Sequence, residues 1–308
     1  MVSIYSEDLF ASGIPDGFTS ERVAWTKGSA HLEVAKLLGG DPIRVTGDLD
    51  MSCLANRVDL LVTKRFPRSL LVPTVVPVGF DASEIRQVVV AVGLGPHTPR
   101  AVSTAERVAQ SLGITGTLMT AYAAQDDAEE AHERLAQHAT ATSGFTIEAI
   151  ATSDPRSLTD HLSKDTLLVH GAGGGSFLDR HFTGTGSRLT SRSQGCVLVV
   201  KDAPQRCFQV MLDPTEFAIS PDLLVGDALQ LMAYPFAPVV IAHRLVGIVR
   251  VGDLIHASPA DTIGDLVRET PDVEQCDPAE IIDAAREDLG PGPVPVVDAD
   301  RNLVGVIT

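Results

Sequence analysis

The 308-residue chain is poor in basic side chains: 24 Lys and Arg stand against 40 Asp and Glu, a formal net charge of -16. A surface of that sign repels nucleic-acid backbones and anionic lipid headgroups, which excludes both as main partners. Cysteine is scarce as well. Cys53, Cys196, Cys207 and Cys276 are scattered and form no Cys-x-x-Cys pair, so neither a disulfide framework nor a zinc site is indicated. Cys196 lies in a strand-like run and reads as a small buried hydrophobe. That usage fits a reducing cytoplasm. No apolar run approaches the roughly 20 residues that span a bilayer. The longest candidate, residues 70–78, is interrupted by Pro73 and Pro77. The opening Met-Val-Ser-Ile-Tyr-Ser-Glu-Asp lacks the basic region of a signal peptide. The expectation is a soluble, cytoplasmic chain without membrane insertion.

What the chain does have is apolar patterning: 44% of its residues are hydrophobic, enough for a real core. The middle segment is the most regular. Residues 87–92 read as a strand buried on both faces. Gly93-Leu94-Gly95-Pro96 turns the chain, and residues 98–112 put Val102, Ala105, Val108, Ala109 and Leu112 on one helical face. Gly113 stands where a helix C-cap belongs. Further strands are expected at 117–122, 145–149, 166–170 and 196–200, and helices at 126–139 and 156–162. Alternating strand and helix predicts a doubly wound, five-stranded parallel α/β sheet of Rossmann-like type. Ligands of such sheets bind beyond the carboxyl ends of the strands, at the topological switch point. The loops after Val92 and His170 are of that kind.

The stretch after His170 carries the densest chemistry. A buried strand delivers Gly171-Ala-Gly-Gly174-Gly-Ser, and after eight more residues Gly184-Thr185-Gly186-Ser187 opens a helix. Glycines let a backbone approach phosphates closely, and helix-start N–H groups and hydroxyls favour an anion. No Walker lysine follows either glycine group, which argues against a P-loop. His170 and His181 flank the loop and read as a strand end and a loop residue rather than a phosphoryl relay. No acidic pair is spaced to hold a metal, although Asp179 is placed to meet a Mg2+ carried by a nucleotide.

The spacing Gly171-x2-Gly174-x9-Gly184-Thr185 resembles the nucleotide-binding motif of the universal stress protein family, in its ATP-binding branch. The resemblance covers residues 87–201 with the elements in the right order. It implies an ATP or other adenine-nucleotide site formed by Ala91, Val92, Gly93, Gly95, Ala121, His170, Gly171, Gly174, Gly184, Thr185, Gly186 and Ser187. One departure is visible. The family carries an acidic residue near the adenosine at the end of its first strand, and the matching position here is Gly93.

Beyond Pro204 the pattern changes to a repeat. Residues 223–232, 237–240 and 245–249 read helix, strand, strand, and residues 279–285, 294–298 and 303–308 read the same. The repeat resembles a pair of cystathionine beta-synthase (CBS) domains, an α+β module of two units around a pseudo-two-fold axis. The resemblance implies an adenosine site at Ile219, Ala237, Pro238, Arg250 and Asp253, with Val294 and Thr308 from the second repeat. Arg250 stands where the family has a hydroxyl residue.

Residues 1–82 look like a degenerate half of a stress-protein domain. Residues 58–62 parallel 165–169, residues 73–77 parallel 196–200, and a helix is expected at 30–38. The glycine loop between them is replaced by Thr63-Lys64-Arg65-Phe66-Pro67-Arg68, which reads as a solvated loop. The expected domains are 1–82, 83–203 and 207–308.

Together these readings imply an adenine-nucleotide-binding regulatory protein without strong catalytic activity, homodimeric through its stress-protein and CBS domains. No catalytic residue and no protein partner can be named. A slow nucleotide hydrolase, or a non-catalytic module regulating a transporter or another partner, are the alternatives.

Overall fold

The computed structural model describes residues 21–308 apart from 124–126, 140–141, 143, 153, 174–184, 270–274 and 290–292. Two compact units emerge, one ending at Ala203 and the other covering Pro204–Thr308.

In the first unit nine strands form one sheet: β1 (Val23–Trp25), β2 (Ile43–Arg44), β3 (Leu60–Val62), β4 (Thr74–Val78), β5 (Gln87–Ala91), β6 (Gly116–Tyr122), β7 (Thr146–Ala151), β8 (Thr166–Gly171) and β9 (Val197–Lys201). Their spatial order is β2-β1-β3-β4-β9-β8-β5-β6-β7. The expected parallel set is the run β9-β8-β5-β6-β7. Its helices are α3 (Thr98–Leu112), α4 (Ala128–Ala139) and α5 (Thr185–Arg192), while α1 (Ser29–Gly39) and α2 (Leu49–Ala55) belong to the N-terminal strands.

Burial explains the double winding. Val88 and Val90 of β5 join one core with Val34, Ala35 and Leu38 of α1, Val102, Ala105 and Val108 of α3, and Leu135 of α4. Val89 points the other way and packs with Met119, Leu158, Leu168 and Leu189 of α5. A strand covered on both faces must be apolar at consecutive positions, as Val88-Val89-Val90 is. Helix α3 stops where Gly113 adopts φ 65°, returning its N–H to the Ala109 and Gln110 carbonyls.

The N-terminal strands extend the same sheet. β3 lies parallel to β4, and β4 runs antiparallel to β9 with Val76 opposite Val199. The order β2-β1-β3-β4 mirrors β6-β5-β8-β9, so a local two-fold axis passes by the Val76–Val199 pair. β4 begins at Thr74. Pro73 has no N–H for a ladder, and Pro77 is tolerated because the β3 pairing ends at Val75. The β9 edge is thereby filled from within the chain, so a second copy cannot pair there. Polar ties add to the joint. Glu21 pairs with Arg100 at 2.7 Å and with Arg107, whose guanidinium also reaches the Leu38 carbonyl. Ser111 donates to the Leu37 carbonyl at 2.7 Å. These pairs are partly exposed and contribute modestly beside the core.

The second unit contains α6 (Cys207–Val210), α7 (Val225–Leu231), β10 (Phe236–Ile241), β11 (Arg244–Arg250), α8 (Val251–Leu254), β12 (Arg268–Glu269), α9 (Ile282–Leu289), β13 (Val294–Val297) and β14 (Leu303–Ile307). Each repeat contributes an antiparallel hairpin, β10–β11 and β13–β14, with a bulge at Val239/Val240 and at the equivalent Val296/Val297. The first hairpin turns on Ala242 and His243, both at positive φ, the conformation that a two-residue turn demands. The repeats exchange backbone bonds reciprocally: β12 pairs with β11 of the first repeat, and Leu212 bridges Val306 of the second. Leu245 N–H meets the Arg301 carbonyl and Leu303 N–H the His243 carbonyl, tying the two turns together. No helix among the described residues is long and apolar enough to cross a membrane.

Trp25 is the single tryptophan and sits in β1, three positions away from β9 in the sheet order. Leu198 of β9 is fully buried, and its truncation to alanine is expected to cost about 2–5 kcal/mol. Because one core spans both sides of the β4–β9 joint, Leu198→Ala should lower the denaturation midpoint reported by Trp25 fluorescence. An unmoved Trp25 transition would mean that the N-terminal strands fold independently.

Candidate functional site

The parallel set has its switch point between β5 and β8: β6 lies on one side of β5 and β8 on the other. The loops leaving these two strands therefore diverge and open a crevice at their carboxyl ends. The first loop runs from Val92 to His97. Thr120 donates its hydroxyl to the Val92 carbonyl at 2.8 Å. Thr98 donates its hydroxyl to the Gly93 carbonyl at 3.0 Å and its N–H to the Gly95 carbonyl at 3.1 Å. Three carbonyls are thus held by the scaffold. Open space lies where a Cβ would stand at Gly93, Gly95 or Gly173, and Leu94 is 83% exposed.

The second loop begins at Gly171. A Cβ there would come within 3.1 Å of the His97 Cβ and 3.2 Å of its carbonyl carbon. Glycine at 171 lets the two loops approach this closely without His97 having to shift. Ala172 N–H is bonded to the Val200 carbonyl, which fixes the start of the loop against β9. Gly174 and Gly184, and with them His181 and Asp179, lie outside the described residues. Thr185, Gly186 and Ser187 form the first turn of α5. Ala91 ends β5, and Ala121 lies one residue before the end of β6. The structure thus brings Ala91, Val92, Gly93, Gly95 and Gly171 to one sheet edge.

His170 builds the frame of the site. It is 3% exposed. Burial pushes its pKa below the usual 6.5, outweighing the opposing effect of its bond to Gly171. The neutral ring donates from Nδ1 to the Gly171 carbonyl at 2.8 Å and accepts at Nε2 from the Thr190 hydroxyl at 2.9 Å. Both nitrogens are occupied, Nδ1 within β8 and Nε2 in joining β8 to α5, so neither is offered to a ligand.

His97 is the residue that sequence reasoning missed. It precedes α3, its Nδ1 accepts the Asp202 N–H at 3.1 Å, and it lies against Gly171. Burial lowers its pKa, against the raising influence of the Asp202 carboxylate. The ring links the first loop, the second loop and the chain after β9. Nothing in the sequence around Pro96-His97-Thr98 signals this, because its partners are remote in the chain.

In the second unit the first-repeat residues converge. Ile219 N–H bonds the Pro238 carbonyl and its own carbonyl accepts from Val240, both at 3.0 Å. Arg250 lies opposite Phe236, beside Ala237, and N-caps α8, which carries Asp253. Val294 and Thr308 stand apart from this group on the other hairpin, with Val294 opposite Ile307. There Cys276 takes the place of Ile219, bridging Val296 as Ile219 bridges Val239. The irregular spacing ahead of β13 hid this counterpart.

A family model described as CBS domain matches residues 209–260. No curated protein matches the chain. Among solved structures, a universal stress protein in complex with cAMP is similar at 22% identity, covering 39% of this chain and 98% of its own, with TM-score 0.33. A universal stress protein from Archaeoglobus fulgidus DSM 4304 is similar at 16% identity, covering 56% of this chain and 72% of its own, with TM-score 0.36. A hemolysin-like protein containing a CBS domain from Oenococcus oeni PSU is similar at 19% identity, covering 34% and 85%, with TM-score 0.29. The chain thus carries a CBS domain, and the mixed α/β architecture of its first unit is defined by the strand order above.

Because His170 is held neutral, the unfolded chain takes up a proton there before the folded chain does. Its contribution to stability is full above about pH 6.5 and is lost as pH falls below that. His97, lowered in the same direction, adds to the loss. The urea midpoint should fall as pH drops from about 7 toward 5, with a shallower slope in His170→Gln.

Proposed function

We propose that the chain is a regulatory protein that binds an adenine nucleotide at the β5/β8 switch point and a second adenosine-type ligand at the CBS repeat. The observation that carries this reading is the construction of the crevice: glycine backbone on both loops, carbonyls tied down by Thr98 and Thr120, and open space above Gly93, Gly95 and Gly173. Such a surface fits phosphates and ribose through backbone contact. ATP is the first candidate, with Mg2+ entering only as the nucleotide's counter-ion. The adenosine end lacks a carboxylate at Gly93, so base recognition relies on apolar contact and backbone. A solved universal stress protein complex with cAMP adds support for an adenine nucleotide as the ligand class.

The proposed action is binding, without strong catalysis. His170 is committed to the frame and His97 accepts a backbone N–H, so neither serves as a base in this arrangement. Regulation then requires that ligand bind two conformations unequally. Dimerisation is proposed through the second unit, where Leu229, Leu231 and Ile255 of the α7–α8 region are exposed. A cytoplasmic location follows the cysteine usage.

Calorimetric titration with ATP, ADP, AMP and cAMP tests the reading, alongside mass spectrometry of ligands carried through purification. Gly171→Val should push the first loop away through His97 and weaken ATP binding about tenfold or more. Asp253→Ala should leave that site unchanged and remove any second binding event. No binding at millimolar nucleotide would end the proposal.

A further inference from the structure

The two repeats of the second unit are built around the same backbone contact and fill it with different side chains. In the first, Ile263 donates its N–H to the Leu223 carbonyl at 2.9 Å and Gly264 to the Pro221 carbonyl at 2.8 Å, while Thr262 bridges Leu224. In the second, Cys207 donates to the Glu280 carbonyl and Phe208 to the Pro278 carbonyl, both at 2.9 Å, while Arg206 bridges Ile281. The next turn repeats as well: Val267 N–H returns to the Ile263 carbonyl, and Met211 N–H to the Cys207 carbonyl. Cys207 is therefore the counterpart of Ile263, as Cys276 is of Ile219. Ile263 is fully buried, and Ile219 packs against its cluster. Two isoleucines satisfy the packing at this place in one repeat, and two cysteines stand there in the other.

The cysteine pair differs from an apolar filling in its chemistry. The thiols share a hydrogen bond, with the Cys276 S–H donating to the Cys207 sulfur. Contact of that kind places two sulfurs within reach of a disulfide. The same bond holds the Cys207 thiol below its ordinary range, against burial and the Glu280 and Asp277 carboxylates, and pushes the Cys276 thiol up. One sulfur is disposed to react as a thiolate while the other keeps its proton. Both are buried, Cys207 at 0% and Cys276 at 2% exposure, so an oxidant that reaches them has to be small. Cys53 and Cys196 are buried too, but the groups acting on them are carboxylates and backbone, with no second thiol.

We infer that Cys207 and Cys276 form a reversible oxidation site, joined as a disulfide by hydrogen peroxide and reopened by a dithiol. The Cys207 thiolate attacks one peroxide oxygen. The O–O bond breaks, hydroxide leaves and takes up the proton that Cys207 released, forming water, and Cys207 becomes a sulfenic acid. The Cys276 sulfur then attacks the Cys207 sulfur. The S–S bond forms, the S–O bond breaks, and the hydroxyl leaves with the Cys276 proton as a second water. Two thiols are thereby oxidised to one disulfide while one peroxide is reduced to two waters. A dithiol reverses the bond by exchange and is itself oxidised to a disulfide. The bond ties the start of α6 to the segment ahead of α9, at the position that Ile219 holds in the first repeat. A dithiol that closes only under oxidant is the form a cysteine pair takes in a reducing compartment. The sequence shows no Cys-x-x-Cys pair because the whole first repeat lies between these two residues.

The full chain, reduced and then freed of reductant, is treated with millimolar hydrogen peroxide, and its thiols are counted by alkylation after unfolding. The count should fall from the four cysteines of the sequence to the Cys53 and Cys196 thiols alone. Peptide mass mapping without reductant should show Cys207 joined to Cys276, and dithiothreitol should restore the full count. Cys276→Ser should halt the reaction at a Cys207 sulfenic acid that dimedone traps, whereas Cys207→Ser should leave Cys276 as an unreacted thiol. Cys207→Ile with Cys276→Ile installs the side chains of the first repeat. It should fold, as judged by circular dichroism, and lose no further thiol to peroxide. The inference is overturned if all four thiols survive peroxide, if Cys53 and Cys196 are consumed as fast as the pair, or if the pair ends as sulfinic acid with no disulfide. A sulfenic acid trapped on Cys276 in the Cys207→Ser chain, with none on Cys207 in Cys276→Ser, overturns the assigned order of attack.

Discussion

Strand β9 closes the run of five parallel strands, and by itself it would present one row of backbone N–H and C=O groups to solvent. Such an edge invites pairing with another chain. Here β4 takes the position, antiparallel and in register from Thr74–Lys201 to Val78–Val197. The rest of the first unit depends on that ladder. Val75 and Val200 meet across it at zero exposure, and the core continues from α1 through β3 and β4 to α3 without a break. The two-fold relation imposed by the joint also produces two switch points, one in each half of the sheet.

The halves use the same topology with opposite chemistry. Between β5 and β8 the loops are glycine-rich and neutral, and the fold supplies rigidity through Thr98, Thr120, His97 and His170. After β1 and β3 the loops carry Lys27, Lys64, Arg65 and Arg68, all exposed. In the second unit the repeats are likewise joined by exchanged strands, since neither hairpin alone covers its apolar face. Leu212 on Val306 and β12 on β11 are the two halves of that exchange.

Much of this was legible in the residues. Val88-Val89-Val90 can only be a strand covered on both faces, and α3 announces itself by its apolar stripe and by Gly113. Gly171 was legible as a close-approach position, although the group it approaches, His97, was not. The repeat after Pro204 was readable from its order of elements, while Cys276 as the counterpart of Ile219 was not, because the intervening loop differs between repeats. β1 and β2 escaped notice, being three and two residues long, too short for any periodicity to register.

The sequence by itself determined the local grammar: which stretches are strands or helices, where they stop, and that backbone-exposing loops follow the central strands. These depend on side chains within a few positions of one another. Only the tertiary structure decided that the strands between Val23 and Val78 complete the sheet, that β9 has no free edge, that His170 is scaffold, and that Thr26 and Thr63 meet. Each of those outcomes is a pairing between distant segments. Backbone hydrogen bonding selects such partners by geometry, and it leaves no mark on the side chains of either strand.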